Sequence, residues 1–293
     1  MTPAQRLRDL FARKEFLPMP GCFDGLSAKL VADAGYKVGF MSGFAVSGAR
    51  LGMPDTGLIS VSEMLDTLRS CVNAAGDMPI IGDGDTGYGN ALNVQRTVVD
   101  YARAGAAAVM IEDQVSPKKC GHTKGKAVIS REEARMKIRA AVEARTNHDI
   151  LILARTDARA THDFDEALER CRLFEAEGAD ITFLEAPVSE DEMRRYCAAM
   201  TKPCMANMVH GGKTPILPGE QLGRLGYALA VYPIVTLSAA ITAMRAALEA
   251  IKPGSNTKLP PMVDFPEMQQ IVGFPAYWER EARYKAAELP NAR

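Results

Sequence analysis

No charge of either sign dominates this chain of 293 residues. Its 35 lysines and arginines nearly cancel 36 aspartates and glutamates, for a net charge of -1. There is no basic excess to meet nucleic acid and no acidic tail to act as a solvating segment. Long apolar runs are also missing, which sets membrane insertion aside. The first 18 residues carry Arg6, Arg8, Asp9, Arg13, Lys14 and Glu15 where a secretory leader would need apolar side chains. The 6 cysteines, at positions 22, 71, 120, 171, 197 and 204, show no CxxC or Cys/His finger spacing. That pattern sets zinc aside and reads as a reduced, cytoplasmic protein.

What the chain does have is one theme repeated: a short apolar run, a polar loop, then an amphipathic stretch closing at glycine. Strands are expected at 17–22, 38–42, 79–83, 108–112, 150–155, 181–186, 204–208 and 227–232. Helices are expected at 25–34, 61–75, 93–104, 131–144, 165–177, 190–200, 220–225 and 237–251, with glycine at 35, 76, 105, 178 and 226 as C-terminal stops. Ser60 or Ser62, and Ser130, are candidate N-caps. Alternating strands and helices imply a parallel sheet, and eight units point to a closed (β/α)8 TIM barrel. A doubly wound open sheet is the alternative, but no GxGxxG follows the first apolar run. The chain reads as one domain, 1–293, in which 252–293 is a linker and a C-terminal helical arm. The arm holds the lone tryptophan, Trp278, and packs either on its own barrel or on a neighbouring subunit.

Polar groups cluster where the expected strands end: Ser42 and Gly43, Asp83 and Asp85, Glu112, Arg155, Glu185 and Asn207. In such a barrel this is the face that carries active sites. Gly82-Asp83-Gly84-Asp85-Thr86-Gly87 puts two carboxylates on a glycine-rich turn, an arrangement suited to a hard cation held partly by water. The oxygen ligands favour Mg²⁺, with Mn²⁺ as the alternative ion. The competing readings are turn capping for the two aspartates and an ion pair with Lys118 for Glu112. Arg155 closes an apolar run and needs an anion: a substrate carboxylate, or an internal pair with Asp157 or Glu185. Ser42, Asn207 and the amides around Gly43 and Gly121 are further carboxylate binders. In Lys118-Lys119-Cys120-Gly121-His122 the cationic neighbours are expected to depress the Cys120 thiol pKa and suit it to proton transfer. His122 would orient substrate or act as a base.

Taken together, Ser42-Gly43, Asp83 through Gly89, Glu112-Asp113-Gln114, Lys118 through His122, Ala154-Arg155-Thr156-Asp157-Ala158, Glu185-Ala186-Pro187 and Asn207-Met208 resemble the isocitrate lyase/phosphoenolpyruvate mutase superfamily. The resemblance implies a barrel whose C-terminal helix is swapped between subunits, in dimers that pair into homotetramers. It implies Mg²⁺ bound directly by Asp83 and through water by Asp55, Asp85 and Glu112. The Lys-Lys-Cys-Gly-His run is similar to the signature of the carbon–carbon lyases, in which the matching cysteine protonates the carbanion product. Substrate-carboxylate contacts are implied for Arg155, Gly121, His122 and Asn207, and a loop holding the 2-oxoacid half for Ser42, Gly43 and Phe44. The run from Pro117 to Lys126, with Phe40, resembles the branch containing 2,3-dimethylmalate lyase, petal death protein and oxaloacetate hydrolases. Against the hydrolases stands Tyr232-Pro233-Ile234, where they favour serine. His210 stands where the branch typically has glutamate, replacing an anion with a group that titrates near neutral pH. The implied activity is Mg²⁺-dependent cleavage of a small di- or tricarboxylate, a substituted malate, to a 2-oxoacid plus a carboxylate. Glu185 and His210 are candidates for the base that takes the hydroxyl proton. Oxaloacetate hydrolysis and a carboxyphosphonoenolpyruvate-type phosphonomutase are the alternatives.

Overall fold

A computed structural model describes residues 1–120 and 125–288, with side chains through residue 285. Eight short strands run in parallel: β1 (Leu17–Cys22), β2 (Gly39–Met41), β3 (Ile80–Asp83), β4 (Ala108–Glu112), β5 (Leu151–Thr156), β6 (Ile181–Leu184), β7 (Cys204–Asn207) and β8 (Leu229–Tyr232). Each pairs with the next in sequence, and β8 closes onto β1. The closed barrel is therefore the fold. The strands read as continuous apolar runs because both faces are covered. One face fills the interior, where Met19, Phe40, Ile81, Met110, Leu153, Phe183, Met205 and Val231 pack in one cluster. The other face takes helices such as Val61–Ala75, whose Met64, Leu68 and Cys71 are fully buried.

Parallel register carries the chemistry of the strand ends to one level. Glu112 on β4 lies opposite Arg155 on β5, and Arg155 lies opposite Phe183 on β6. Several caps behave as read from sequence: Ser60 accepts the amide of Glu63, and Ser130 accepts the amide of Glu133. Pro3–Ala12, Gly43–Val46 and Ala158–Thr161 are helices that were not expected. Pro3–Ala12 starts from the Thr2 cap, with Pro3 in its first turn, and buries Ala4 and Leu7 in the same cluster as the barrel interior.

The chain divides into two compact units, Met1–Ser238 and Ala239–Arg293, so the division falls inside helix Val235–Ala250 and not at the linker near residue 252. The second unit also holds helices Phe265–Val272 and Phe274–Glu288, separated at Gly273. The φ of +88° there favours glycine and stops the first helix. No helix of the described residues is long and apolar enough to cross a membrane.

On the barrel's outer layer, Glu166 receives a bidentate bond from Arg131 and a 2.8 Å bond from Arg170 Nε. The Arg131 bond foremost, then Arg170, lower its carboxyl from the usual 4.5 to about 2. Because the folded-state pKa is depressed, the resulting stability is present above about 4.5 and is lost as pH falls towards about 2. Glu166→Gln is expected to lower the denaturant midpoint at pH 7, with the gap to wild type closing across that window. A gap that does not change with pH would contradict the ion-pair account.

Candidate active site

A cavity of about 220 Å³ opens at the C-terminal ends of the strands. Its polar wall is Ser42, Asp55, Asp83, Glu112, Lys118, Lys119, Cys120, Arg155 and Asn207. Its apolar wall includes Phe40, Phe44, Met110, Phe183, Val209, Val231, Pro233 and Ile234. The structure thus gathers most of the residues expected from sequence. Gly121 and His122 lie outside the described residues. His210 sits on an exposed turn after β7 and is not part of the cavity lining.

Asp83 is anchored at both oxygens. Oδ2 accepts the Gly43 amide at 3.0 Å and Oδ1 accepts the Asp85 amide at 3.0 Å. The end of β3 is further held by Tyr101, whose hydroxyl donates to the Asp83 carbonyl at 2.6 Å. This pins the carboxylate but corrects one expectation: the Gly43 amide serves Asp83, so it is not an open donor for a substrate carboxylate. A Cβ at Gly43 would lie 2.7 Å from Asp83 Oδ2 and 3.3 Å from Asp85 Oδ1, so a larger residue there would push the Asp83 carboxylate aside. Ser42 caps the short helix Gly43–Val46, accepting the Ala45 amide.

Asp85 has a φ of +47°, unusual for a residue with a side chain. Its carboxylate meets Lys118 at 2.8 Å, and the same ammonium meets Asp55 at 2.5 Å. Burial first, with Asp83 and Asp55 adding repulsion, pushes the Asp85 carboxyl up to about 7 against the pull of Lys118. Burial works against the Lys118 charge too, but Asp85, Glu112, Asp83 and Asp55 outweigh it and raise its pKa well above the ordinary value. The charge of Lys118 is therefore shared with the acidic cluster.

These carboxylates fit a divalent cation. All are hard oxygen donors, and Glu112 Oε1 is buried with no hydrogen-bond partner among the described residues. Among those residues no group of three or more His, Cys, Asp and Glu side chains is arranged to hold a metal ion by itself.

Arg155 is not short of anions. Its Nε and Nη2 bond Asp157 at 2.8 and 3.1 Å, while Glu112 and Glu185 lie at 3.3 and 3.5 Å. Its guanidinium also sits 5.2 Å from the Phe183 ring centroid. Burial opposes its charge, but the three carboxylates hold its pKa well above normal. The internal pair read as the competing possibility is thus present, and a substrate is not needed to account for the buried cation. Glu185 is fully buried and accepts from Asn207 Nδ2 at 3.1 Å; like Asp85 it is not among the residues lining the cavity.

Sequence reasoning passed over two supports. Gln114 grips the backbone beside Cys120, accepting the Lys119 amide at 3.0 Å and donating to its carbonyl at 2.8 Å. Asp113 accepts from Thr156 Oγ1 at 2.6 Å, the Asp157 amide at 2.9 Å and Arg170 Nη1 at 3.0 Å, fixing the turn after β5. The only local signal was their position just after Glu112.

A closed parallel barrel with an acidic cluster and a cysteine at one strand-end cavity defines an α/β-barrel enzyme of the kind that handles small anions beside a divalent cation. The phosphoenolpyruvate phosphomutase family model matches residues 7–252, and the chain belongs to this isocitrate lyase/phosphoenolpyruvate mutase superfamily. It is 42% identical to 2,3-dimethylmalate lyase of Eubacterium barkeri over 286 residues, covering 97% of this chain and 99% of that one. It is 41% identical over 301 residues to the chloroplastic carboxyvinyl-carboxyphosphonate phosphorylmutase of Arabidopsis thaliana, covering 100% of this chain and 88% of that one. Among solved structures, an oxaloacetate acetylhydrolase in complex with the inhibitor 3,3-difluorooxalacetate superposes with a TM-score of 0.92 at 32% identity, covering 97% of each chain.

Proposed function

We propose that this protein is a Mg²⁺-dependent carbon–carbon lyase that cleaves the C2–C3 bond of a substituted malate, of the 2,3-dimethylmalate or 2-methylisocitrate type. The products are a 2-oxoacid such as pyruvate and a carboxylate. The observation that carries the reading is Cys120 in the same cavity as Asp83, Glu112 and Arg155, in a chain 42% identical to a dimethylmalate lyase.

Asp83 would hold the ion directly, with Asp55, Asp85 and Glu112 reaching it through water. Bound there, Mg²⁺ supplies Lewis acidity towards the 2-oxygen and neighbouring carboxylate of the substrate. Arg155 and Asn207 bind carboxylate oxygens, and Phe44 covers the 2-oxoacid half. As the 2-hydroxyl gives up its proton to solvent, from which the Cys120 thiolate later recovers one, the C2–C3 bond breaks and its electron pair passes to C3. Cys120 supplies the proton that C3 takes up. In this reading Glu185 orients Asn207 and Arg155, because its oxygens are engaged with them. The exposed His210 is set apart from the hydroxyl.

The apolar wall of Phe40, Met110, Phe183 and Val231 favours alkyl substituents on the substrate. It also weighs against oxaloacetate, which has none. In the C-terminal unit, Met244, Leu248, Phe265, Met268 and Trp278 are exposed. We read this arm as the helix exchanged between copies in a homotetramer.

The reading is tested by following 2-oxoacid release through coupled NADH oxidation on a panel of alkylmalates and 2-methylisocitrate. Turnover of one member that EDTA abolishes is expected. Silence across the panel by folded, Mg²⁺-loaded protein would move the reading to oxaloacetate or phosphonate chemistry. Gly43→Ala is expected to weaken Mg²⁺ binding by about tenfold or more by calorimetry, since the new methyl group displaces Asp83. Unchanged affinity would show that Asp83 is not the direct ligand.

A further inference from the structure

Lys126 lies outside every role assigned above, yet its side chain is only 2% exposed and its ammonium meets Asp157 Oδ1 at 2.5 Å. Asp157 is itself fully buried and is the carboxylate that grips Arg155 with both oxygens. One aspartate is therefore shared between a lysine and the arginine that faces the cavity. Three carboxylates, Asp157, Glu112 and Glu185, stand within 3.5 Å of Arg155. Asp157 alone offsets the charge of Arg155, and Lys126 offsets Asp157 in turn. A dianionic substrate approaching Arg155 meets the sum of these charges, at a depth where screening by water is weak.

The backbone around Asp157 does not depend on Lys126. The Asp157 amide donates to Asp113 Oδ1, and Asp113 is in turn held by Thr156 and Arg170. The turn is fixed from the opposite side, so Lys126 is not its sole support.

We infer that Lys126 is a positioning residue for the anionic substrate: its ammonium neutralises Asp157, so that Arg155 keeps net attraction for an incoming carboxylate. The inference rests on the reading of Arg155 as a carboxylate binder in the proposed lyase. The role needs a positive charge at this position and not merely a hydrogen-bond donor, which separates it from a structural one.

The test measures oxalate binding by calorimetry at saturating Mg²⁺, oxalate being a small dianion that resembles the planar 2-oxoacid half. Wild type, Lys126→Arg, Lys126→Gln and Lys126→Met are compared, with a thermal melt of each. Expected are a Kd within about threefold of wild type for the arginine variant and a loss of about tenfold or more for glutamine and methionine. Glutamine keeps a donor for Asp157, so its loss isolates the charge. A glutamine or methionine variant that binds within twofold of wild type overturns the inference. So does a folded arginine variant as weak as the neutral ones, which remains decisive if a neutral variant unfolds. Failure of wild type itself to bind oxalate would overturn the carboxylate-binding reading, a distinct outcome.

Discussion

Cys120→Ser is expected to lose about three orders of magnitude in kcat while keeping Mg²⁺ and oxalate affinity near wild type. A serine hydroxyl fills nearly the same space but is a far weaker acid than a thiol, and losing a positioned proton donor costs about 10²–10⁴-fold. Cys120 lines the cavity beside Lys119, and Gln114 fixes the backbone just before it, so the substitution leaves its surroundings in place. The prediction is therefore a split: chemistry lost, binding retained. Full activity in the variant would remove Cys120 from the proton transfer. Loss of binding together with activity would mean that it contacts the substrate and not the departing carbon alone.

Asp83→Ala is expected to fail earlier, at the cation. The variant removes the acceptor of two buried amides, those of Gly43 and Asp85, and each unsatisfied donor costs about 1–3 kcal/mol. It also removes the proposed direct ligand. The thermal midpoint should drop, Mg²⁺ should no longer raise it, and cleavage should fall by at least about 10³-fold. The wild-type midpoint, by contrast, should climb with Mg²⁺ concentration, because a ligand that binds only the folded state stabilises it by mass action. A variant whose midpoint still rises with Mg²⁺ would place the ion elsewhere.

The strands were legible because a strand covered on both faces reads as a short apolar run between glycines and prolines. β1 and β4 match their expected bounds, and the rest differ by only a residue or two at each end. Helix Pro3–Ala12 escaped because its charges were weighed only against a secretory leader. Ala4 and Leu7, with Leu10 and Phe11 packed beside them, form its buried stripe. The segment after β2 escaped because its helix, Gly43–Val46, is a single turn followed by the wide turn Ser47–Leu51, too short for periodicity to register. Strand-end residues of the site could be found because parallel register brings every strand's last polar residue to one level. Long-range partners could not. Lys126 meets Asp157 from 31 residues away, and Asp113 meets Arg170 from 57, separations on which local patterns are silent. Arg155 was correctly read as needing an anion, but composition could not show that the fold supplies three. The ion pairs of Lys118 escaped for a related reason, since adjacency in sequence pointed it at Cys120 and could not show that the fold joins it to Asp55 and Asp85.

In the proposed reaction Mg²⁺ and Cys120 together break the C2–C3 bond of a substituted malate. The most direct test is product analysis by NMR in D₂O with the alkylmalate that turns over fastest. The account predicts equal amounts of a 2-oxoacid and a carboxylate, the latter carrying one deuterium at the former C3, with neither formed in EDTA. Acetate and oxalate from oxaloacetate, or phosphorus-containing products from a phosphonate, with every alkylmalate left intact, would contradict it.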